Sequence, residues 1–365
     1  MKKATILIAF LLILTFLAAC GVVLPPQPGQ PGDSAAPTAP EQTAPASAAP
    51  TAPDQTAPAS AAPTAPDPTA SAAPALPTEA ADIHPMLFHV TGPEGQEAYL
   101  FGTIHVGDQR IDTALNKLTP ILDGCSALAV EFDVVAYEKD LAAQLQAVQL
   151  YMLSDGTKAS DHMPAETYQK ASALLDEAGL MPNLMQYYNL AMWSQLVEQA
   201  ALLTKTDYDL EIGMDRSLIQ HCYEKKIEVR DVESADFQME LLAGFSDELN
   251  LLLIESTLDN LDSYGESIDE LYSVWLQGDY DQIVEVLTEE SEDTDELTEE
   301  QAALLEDYYD KMLTQRNLGM RDKALEWLEA GDKVFFAVGA AHLVDEGGLV
   351  ELLREAGFTV EQVSY

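Results

Sequence analysis

Apolar positions along this chain follow two rhythms. Short, mostly apolar runs occur at residues 86–91, 98–103, 127–132, 227–232, 334–338 and 359–363. Runs of that length, rich in β-branched and aromatic residues, predict strands. The first two flank Gly92-Pro93-Glu94-Gly95-Gln96, which predicts a hairpin turn. Between the other runs, apolar residues recur at helical spacing, as at Leu141, Leu145, Val148 and Met152. Strands alternating with helices predict an α/β domain over residues 83–365, with a mainly parallel or mixed central sheet and an N-terminal β-hairpin. The helical blocks, about 137–210 and 237–330, are longer than crossovers require. They are expected as large helical insertions covering one end of the sheet. The acidic stretch 289–310 is expected as an exposed helix or loop.

The segment before residue 83 reads differently. Lys2 and Lys3 precede an apolar stretch at 6–16 and then Leu17-Ala18-Ala19-Cys20. A positive start, a short apolar core and small residues at the end make an export signal over 1–20. The apolar stretch is short for a permanent span. Its ending resembles a bacterial lipobox, which implies lipidation of Cys20 and a protein working outside the cytoplasm on the cell membrane. Residues 21–82 hold most of the 20 prolines, and TAPEQTAPASAAP, TAPDQTAPASAAP and TAPDPTASAAP form a degenerate repeat. Such a composition cannot bury a core and predicts an extended tether.

Charge narrows the partners. With 18 Lys+Arg against 62 Asp+Glu, the formal charge is −44. A surface this acidic repels nucleic acid and anionic headgroups. It concentrates divalent cations near any cleft, although most of it is a solvated coat. Two cysteines remain beyond the signal, Cys125 and Cys222; a disulfide and two buried thiols are both open.

The chemistry concentrates at three strand ends. Gly102-x-x-His105 and Gly339-x-x-His342 each follow an apolar run, and each histidine is followed three residues later by an acid, Asp108 and Asp345. Glycine has no Cβ, so a backbone or ligand can come close at Gly102 and Gly339. Glu131 ends a third run. In an open α/β sheet, ligands gather at the carboxyl ends of the strands, so parallel strands would bring these groups to one rim. A buried carboxylate there is costly unless a cation or hydrogen-bond donors meet it. Two histidines and one carboxylate make a metal site with open positions, able to acidify water and polarise a carbonyl. The alternative is that each histidine only caps its strand while Glu131 pairs with an arginine. No Gly-x-Ser-x-Gly elbow, His-Glu-x-x-His, phosphate-binding loop or dinucleotide fingerprint is present. Cys125 precedes the Glu131 run and falls at the opposite sheet edge, which argues against a cysteine nucleophile.

These residues carry a resemblance. Leu100-Phe101-Gly102-Thr103-Ile104-His105, Val130-Glu131, Gly213-Met214-Asp215, Val232-Glu233-(x)4-Gln238, Arg316-Asn317-x-x-Met320 and Val338-Gly339-Ala340-Ala341-His342-Leu343 occur in this order. The domain from 86 to 363 resembles the TraB/GumN family, also called TraB/PrgY, which includes the Tiki proteins. The resemblance implies a metal-dependent peptidase using manganese, cobalt or zinc on a peptide or secreted protein. His105, Glu131 and His342 would be metal ligands or catalytic groups. Arg316 would stabilise negative charge or hold a substrate carboxylate; a structural ion pair with Glu233 or Glu131 is the alternative. Asp215 and Glu233 would orient a histidine, or be ordinary acids at a helix start and a strand end. Asp345 departs from the glycine common in bacterial members, and would add a ligand or cap the helix near Leu349. The likeness to erythromycin esterases offers metal-free hydrolysis with a histidine base. Pheromone-blocking relatives offer peptide sequestration without cutting.

Overall fold

The computed structural model describes residues 76–77, 82–288 and 297–365. The export signal, Cys20, nearly all of the tether and residues 289–296 of the acidic stretch lie outside the described residues.

All six apolar runs form strands: β1 Leu87–Thr91, β2 Glu97–Thr103, β3 Ala127–Val130, β4 Glu228–Asp231, β5 Val334–Gly339 and β6 Thr359–Gln362. They make one mixed sheet in the order β4-β3-β5-β2-β1-β6. β4, β3, β5 and β2 run parallel, and β1 is antiparallel to both β2 and β6. The Gly92–Gln96 turn closes through Gly92 N–H donating to Gln96 O at 2.8 Å. β5 sits between β3 and β2 and is buried throughout. Its alternation supplies both faces. Phe335 and Ala337 join Phe101, Leu128 and Val130 on one side, while Phe336 and Val338 join Leu100 and Ala129 on the other. Burying one such large side chain contributes about 1.5–3 kcal/mol, which fixes the register of the central strands.

The helices are α1 Arg110–Leu122, α2 Val134–Tyr137, α3 Leu141–Tyr151, α4 Ala165–Glu177, α5 Pro182–Met185, α6 Leu190–Lys205, α7 Met214–Lys225, α8 Ala235–Ala243, α9 Asp247–Asp259, α10 Tyr264–Gln277, α11 Tyr280–Thr288, α12 Glu299–Tyr309, α13 Gln315–Glu329 and α14 Leu349–Glu355. Those from α2 to α7 fall between β3 and β4, and those from α8 to α13 between β4 and β5. The two insertions meet where α6 packs on α9 and α10, around the buried Trp193, Leu253 and Tyr264.

One expectation needs correction. The helix predicted from Leu141, Leu145, Val148 and Met152 exists as α3, but its buried residues are Ala147 and Tyr151. Leu141, Leu145 and Met152 are exposed; the spacing gives the helix and not its inner face. The acidic stretch, where described, is the largely exposed helix α12, which buries only Leu305 and Tyr308. Cys125 and Cys222 are both free. Burial raises both thiols, to about 11 and about 12, so neither is a ready nucleophile.

Candidate functional site

Parallel pairing brings the two Gly-x-x-His segments together. Thr103 is level with Gly339 across β2 and β5, and Val130 is level with Ala337 across β3 and β5. His105, Glu131 and His342 therefore emerge from neighbouring strands at one rim. Gly339 lies between them. A Cβ there would stand 3.3 Å from Glu131 Oε1, 3.6 Å from His342 Cδ2 and 3.8 Å from His105 Nε2. Gly102 serves the packing instead. A Cβ on it would press to 3.1 Å from Ala340, in the segment that carries His342.

Each histidine has its tautomer set by a different partner. His105 Nδ1 lies 2.7 Å from Asp215 Oδ2, and Thr103 Oγ1 donates to Asp215 Oδ1 at 2.6 Å. A carboxylate beside Nδ1 holds the proton there and leaves the Nε2 lone pair facing the rim. Burial disfavours charge on this ring, but Asp215 outweighs it and raises His105 above its ordinary value. His342 Nδ1 lies 2.6 Å from Asn317 Oδ1. The amide cannot be reversed without loss, because Asn317 Nδ2 donates to Gly347 O at 2.9 Å. His342 thus donates from Nδ1 and carries its lone pair on Nε2. That nitrogen is fully buried, has no hydrogen-bond partner, and lies 3.9 Å from Glu131 Oε1. Burial, reinforced by the Arg316 guanidinium, pushes His342 down to about 3, so it is neutral.

Glu131 is the hub. Its Oε1 accepts from Gly339 N–H at 2.9 Å; its Oε2 accepts from Arg316 Nη2 at 2.6 Å and Gln238 Nε2 at 3.0 Å. Burial alone would raise this carboxyl. Arg316 and the other donors reverse that and hold it well below the usual carboxylate range. Arg316 also donates to Glu233 through Nε and Nη2, and Gln238 bridges the two glutamates. A π-helical turn, Asp310–Thr314, immediately precedes α13. Such turns re-aim the residues that follow them. Here Arg316 reaches Glu131 while its neighbour Asn317 reaches His342.

α7 docks against this rim through its first residues. A Cβ on Gly213 would collide with His105 O at 2.5 Å, and Met214 N–H donates to Ile104 O at 2.8 Å. That contact places Asp215, in the first turn, beside His105.

The other expected residues sit elsewhere. Glu233 touches Arg316 and Gln238, and no contact joins it to either histidine. Asp108 binds Arg110 and Tyr272 at the start of α1. Asp345 is exposed with φ of 67°, and Gly348 occupies the N-cap of α14. The His-x-x-Asp echo is therefore not a repeated contact. Three groups were named in motifs without a role: Thr103, Gln238 and Asn317. Asn317 had a usable signal, a side-chain amide adjacent to a buried-site arginine on one helix.

The family model for TraB/PrgY/gumN matches residues 86–362. The chain belongs to the TraB/PrgY/gumN family. No curated protein and no solved structure matches it. The match spans all six strands, from Leu87 at the start of β1 to Gln362 at the end of β6. It thus includes each residue of the rim described above.

The donors at the rim suit a divalent metal ion. His342 holds its Nε2 fully buried without a partner, His105 turns its Nε2 toward the Gly339 position beside Glu131, and two carboxylates, Glu131 and Glu233, share the Arg316 guanidinium. Asp215 behind His105 matches the carboxylate support common to metal-bound histidines. Among the described residues, no three His, Cys, Asp or Glu side chains are drawn together as a coordination sphere.

Proposed function

We propose that this member of the TraB/PrgY/gumN family is an extracytoplasmic hydrolase, tethered through Cys20, that cleaves peptide bonds with water at the His105–Glu131–His342 rim. One observation carries this reading. Both imidazoles are held in the tautomer that leaves Nε2 bare, and both close with the buried Glu131 carboxylate on Gly339. A divalent ion bound by those nitrogens and a Glu131 oxygen would acidify water and polarise the scissile carbonyl. The chain's own groups do the rest. Asp215 and Asn317 keep each Nδ1 protonated, so each Nε2 stays available. Arg316, Gln238 and the Gly339 N–H keep Glu131 ionised and fixed. Gly339 leaves room for the reacting atoms where any side chain would stand.

The Asp215–His105 pair supports a second reading. A ring whose basicity a carboxylate has raised can take the proton of water at Nε2 without a metal. The two readings part on one experiment. The purified domain is analysed for bound metal, then incubated with a peptide library with and without manganese and with a chelator. Cleavage that needs the ion, and is lost in His105→Ala and His342→Ala, is expected. Cleavage that survives the chelator would replace it with the metal-free version. Stoichiometric peptide binding without any cut would remove the hydrolase reading in favour of sequestration.

A further inference from the structure

Beside His105 a recess of about 500 Å3, its mouth included, opens off the rim. His105 and Gly339 form its inner end. Its walls are Leu271 and Trp275 from α10 and Ile283 and Leu287 from α11. The Trp275 indole N–H is already committed to Gly102 O at 2.9 Å, so it offers nothing to a ligand. Thr103 also reaches the lining, with its hydroxyl donated to Asp215. In a chain with 62 acidic residues, no carboxylate among the described residues lines this recess. A surface so uniformly apolar, opening directly onto the reacting position, is unusual unless something apolar enters it, because an unfilled apolar pocket forfeits contact energy.

We infer that this recess is the specificity pocket of the proposed hydrolase and takes a large, uncharged apolar side chain of the peptide residue flanking the bond to be cut. The inference rests on the peptidase reading for the word "cut" and on the structure alone for the preference. Leu271 and Leu287 are half-buried and line the pocket from two helices, beside the buried Trp275 and Ile283. An aspartate or lysine would lose its hydration against Leu271, Trp275, Ile283 and Leu287, none of which offers it a partner. A glycine would leave the pocket unfilled. Full burial of a leucine or phenylalanine side chain favours it over glycine by about ten- to hundredfold in binding or in kcat/KM.

The test uses short peptide amides that differ only at one position, carrying Gly, Asp, Lys, Leu or Phe. Turnover is measured with the wild-type domain, and equilibrium binding with the His105→Ala variant. Leu287→Trp and Leu271→Trp narrow the pocket, and Leu287→Ala widens it. The expected result is a ten- to hundredfold preference for Leu and Phe in both assays. The tryptophan variants should erase it for Phe first, and Leu287→Ala should move the optimum toward larger rings. Leu287→Ala keeps the test meaningful where a tryptophan variant fails to fold. Binding that prefers Leu and Phe without any turnover would uphold the pocket and overturn the hydrolase reading. Turnover with equal rates for Gly, Asp and Leu, unmoved by any Leu287 variant, would uphold the hydrolase and overturn the pocket. Neither turnover nor preference would overturn both.

Discussion

Arg316 offers the sharpest test of how the rim is held. Its guanidinium is 4% exposed and makes hydrogen bonds to Glu131 and Glu233 between 2.6 and 3.1 Å. One further N–H goes to Met312 O at 3.3 Å. So many committed donors identify it as the counter-ion of two buried carboxylates, rather than as a free hand for a substrate. Replacing it by methionine keeps the bulk and removes the charge. Glu131 and Glu233, with side chains 7% and 9% exposed, would then keep Gln238 as their shared side-chain donor. Breaking a buried pair from one side typically costs about 3–5 kcal/mol. The sign with pH follows from Glu131. Its pKa is held below the unfolded value of 4.5, so its contribution to stability is present above that pH and is lost as pH falls through the lower folded value. Arg316→Met should remove this contribution and flatten the acid limb. Urea denaturation at pH 7 and at pH 4 measures both effects. Adding Glu131→Gln to Arg316→Met should restore part of the loss, about 0.5–3 kcal/mol of coupling. If Arg316→Met unfolds within about 1 kcal/mol of wild type at pH 7 while activity disappears, the arginine acts on substrate and the ion-pair account is wrong.

Three further outcomes are expected. Asp215→Asn should leave the fold intact and lower the affinity of the rim for metal or its activity by about 10–100-fold; a metal titration or a rate measurement unchanged from wild type would detach Asp215 from His105. Gly339→Ala places a methyl 3.3 Å from Glu131 Oε1; with φ of −48° the backbone tolerates it, so the thermal midpoint should shift only slightly while activity falls at least about 100-fold. Glu198 is fully buried, accepts from Tyr264 and Thr257, and burial pushes its carboxyl up to about 8. The folded state keeps a proton that the unfolded chain releases above 4.5, so stability falls by about 1.4 kcal/mol per pH unit between those values. Glu198→Gln should abolish that slope and be the more stable form at pH 8, as read by denaturant midpoints at pH 5 and pH 8.

The central sheet was readable because β3 and β5 are buried on both faces, β1 stops just before Gly92 and β5 ends at Gly339. The run around Phe335 is apolar at every position, and no helical period competes with it. The shared rim was readable from the Gly-x-x-His pair because parallel pairing of their strands puts equal offsets at equal height. Two things were not readable. The inner face of α3 was missed because Ala147 and Tyr151 bury where bulkier leucines do not, and only the packing of α8 decides that. The partners of the histidines were also out of reach. Asp215 arrives from a helix 110 residues further along the chain and Asn317 reaches back 25. Spacing along the sequence says nothing about which acid or amide will stand behind a ring.

The matched motif conceals an unequal pair. Gly102 and Gly339 both remove a side chain at a strand end, yet the first makes room for backbone and the second for reacting atoms. The histidines differ in the same way. A neutral amide stands behind His342 and a guanidinium shares its surroundings, so that ring stays neutral across the physiological range and acts as a fixed lone pair. A carboxylate stands behind His105, so that ring can accept a positive charge and give it up again. Holding Glu131 and Glu233 against a single arginine works against stability, since each ion taken from water costs several kcal/mol. Such an arrangement favours positive charge appearing at the one place left open to it, the His105 Nε2 face of the rim. That face is also where the apolar recess begins, so the group that handles charge and the pocket that selects the side chain share one residue.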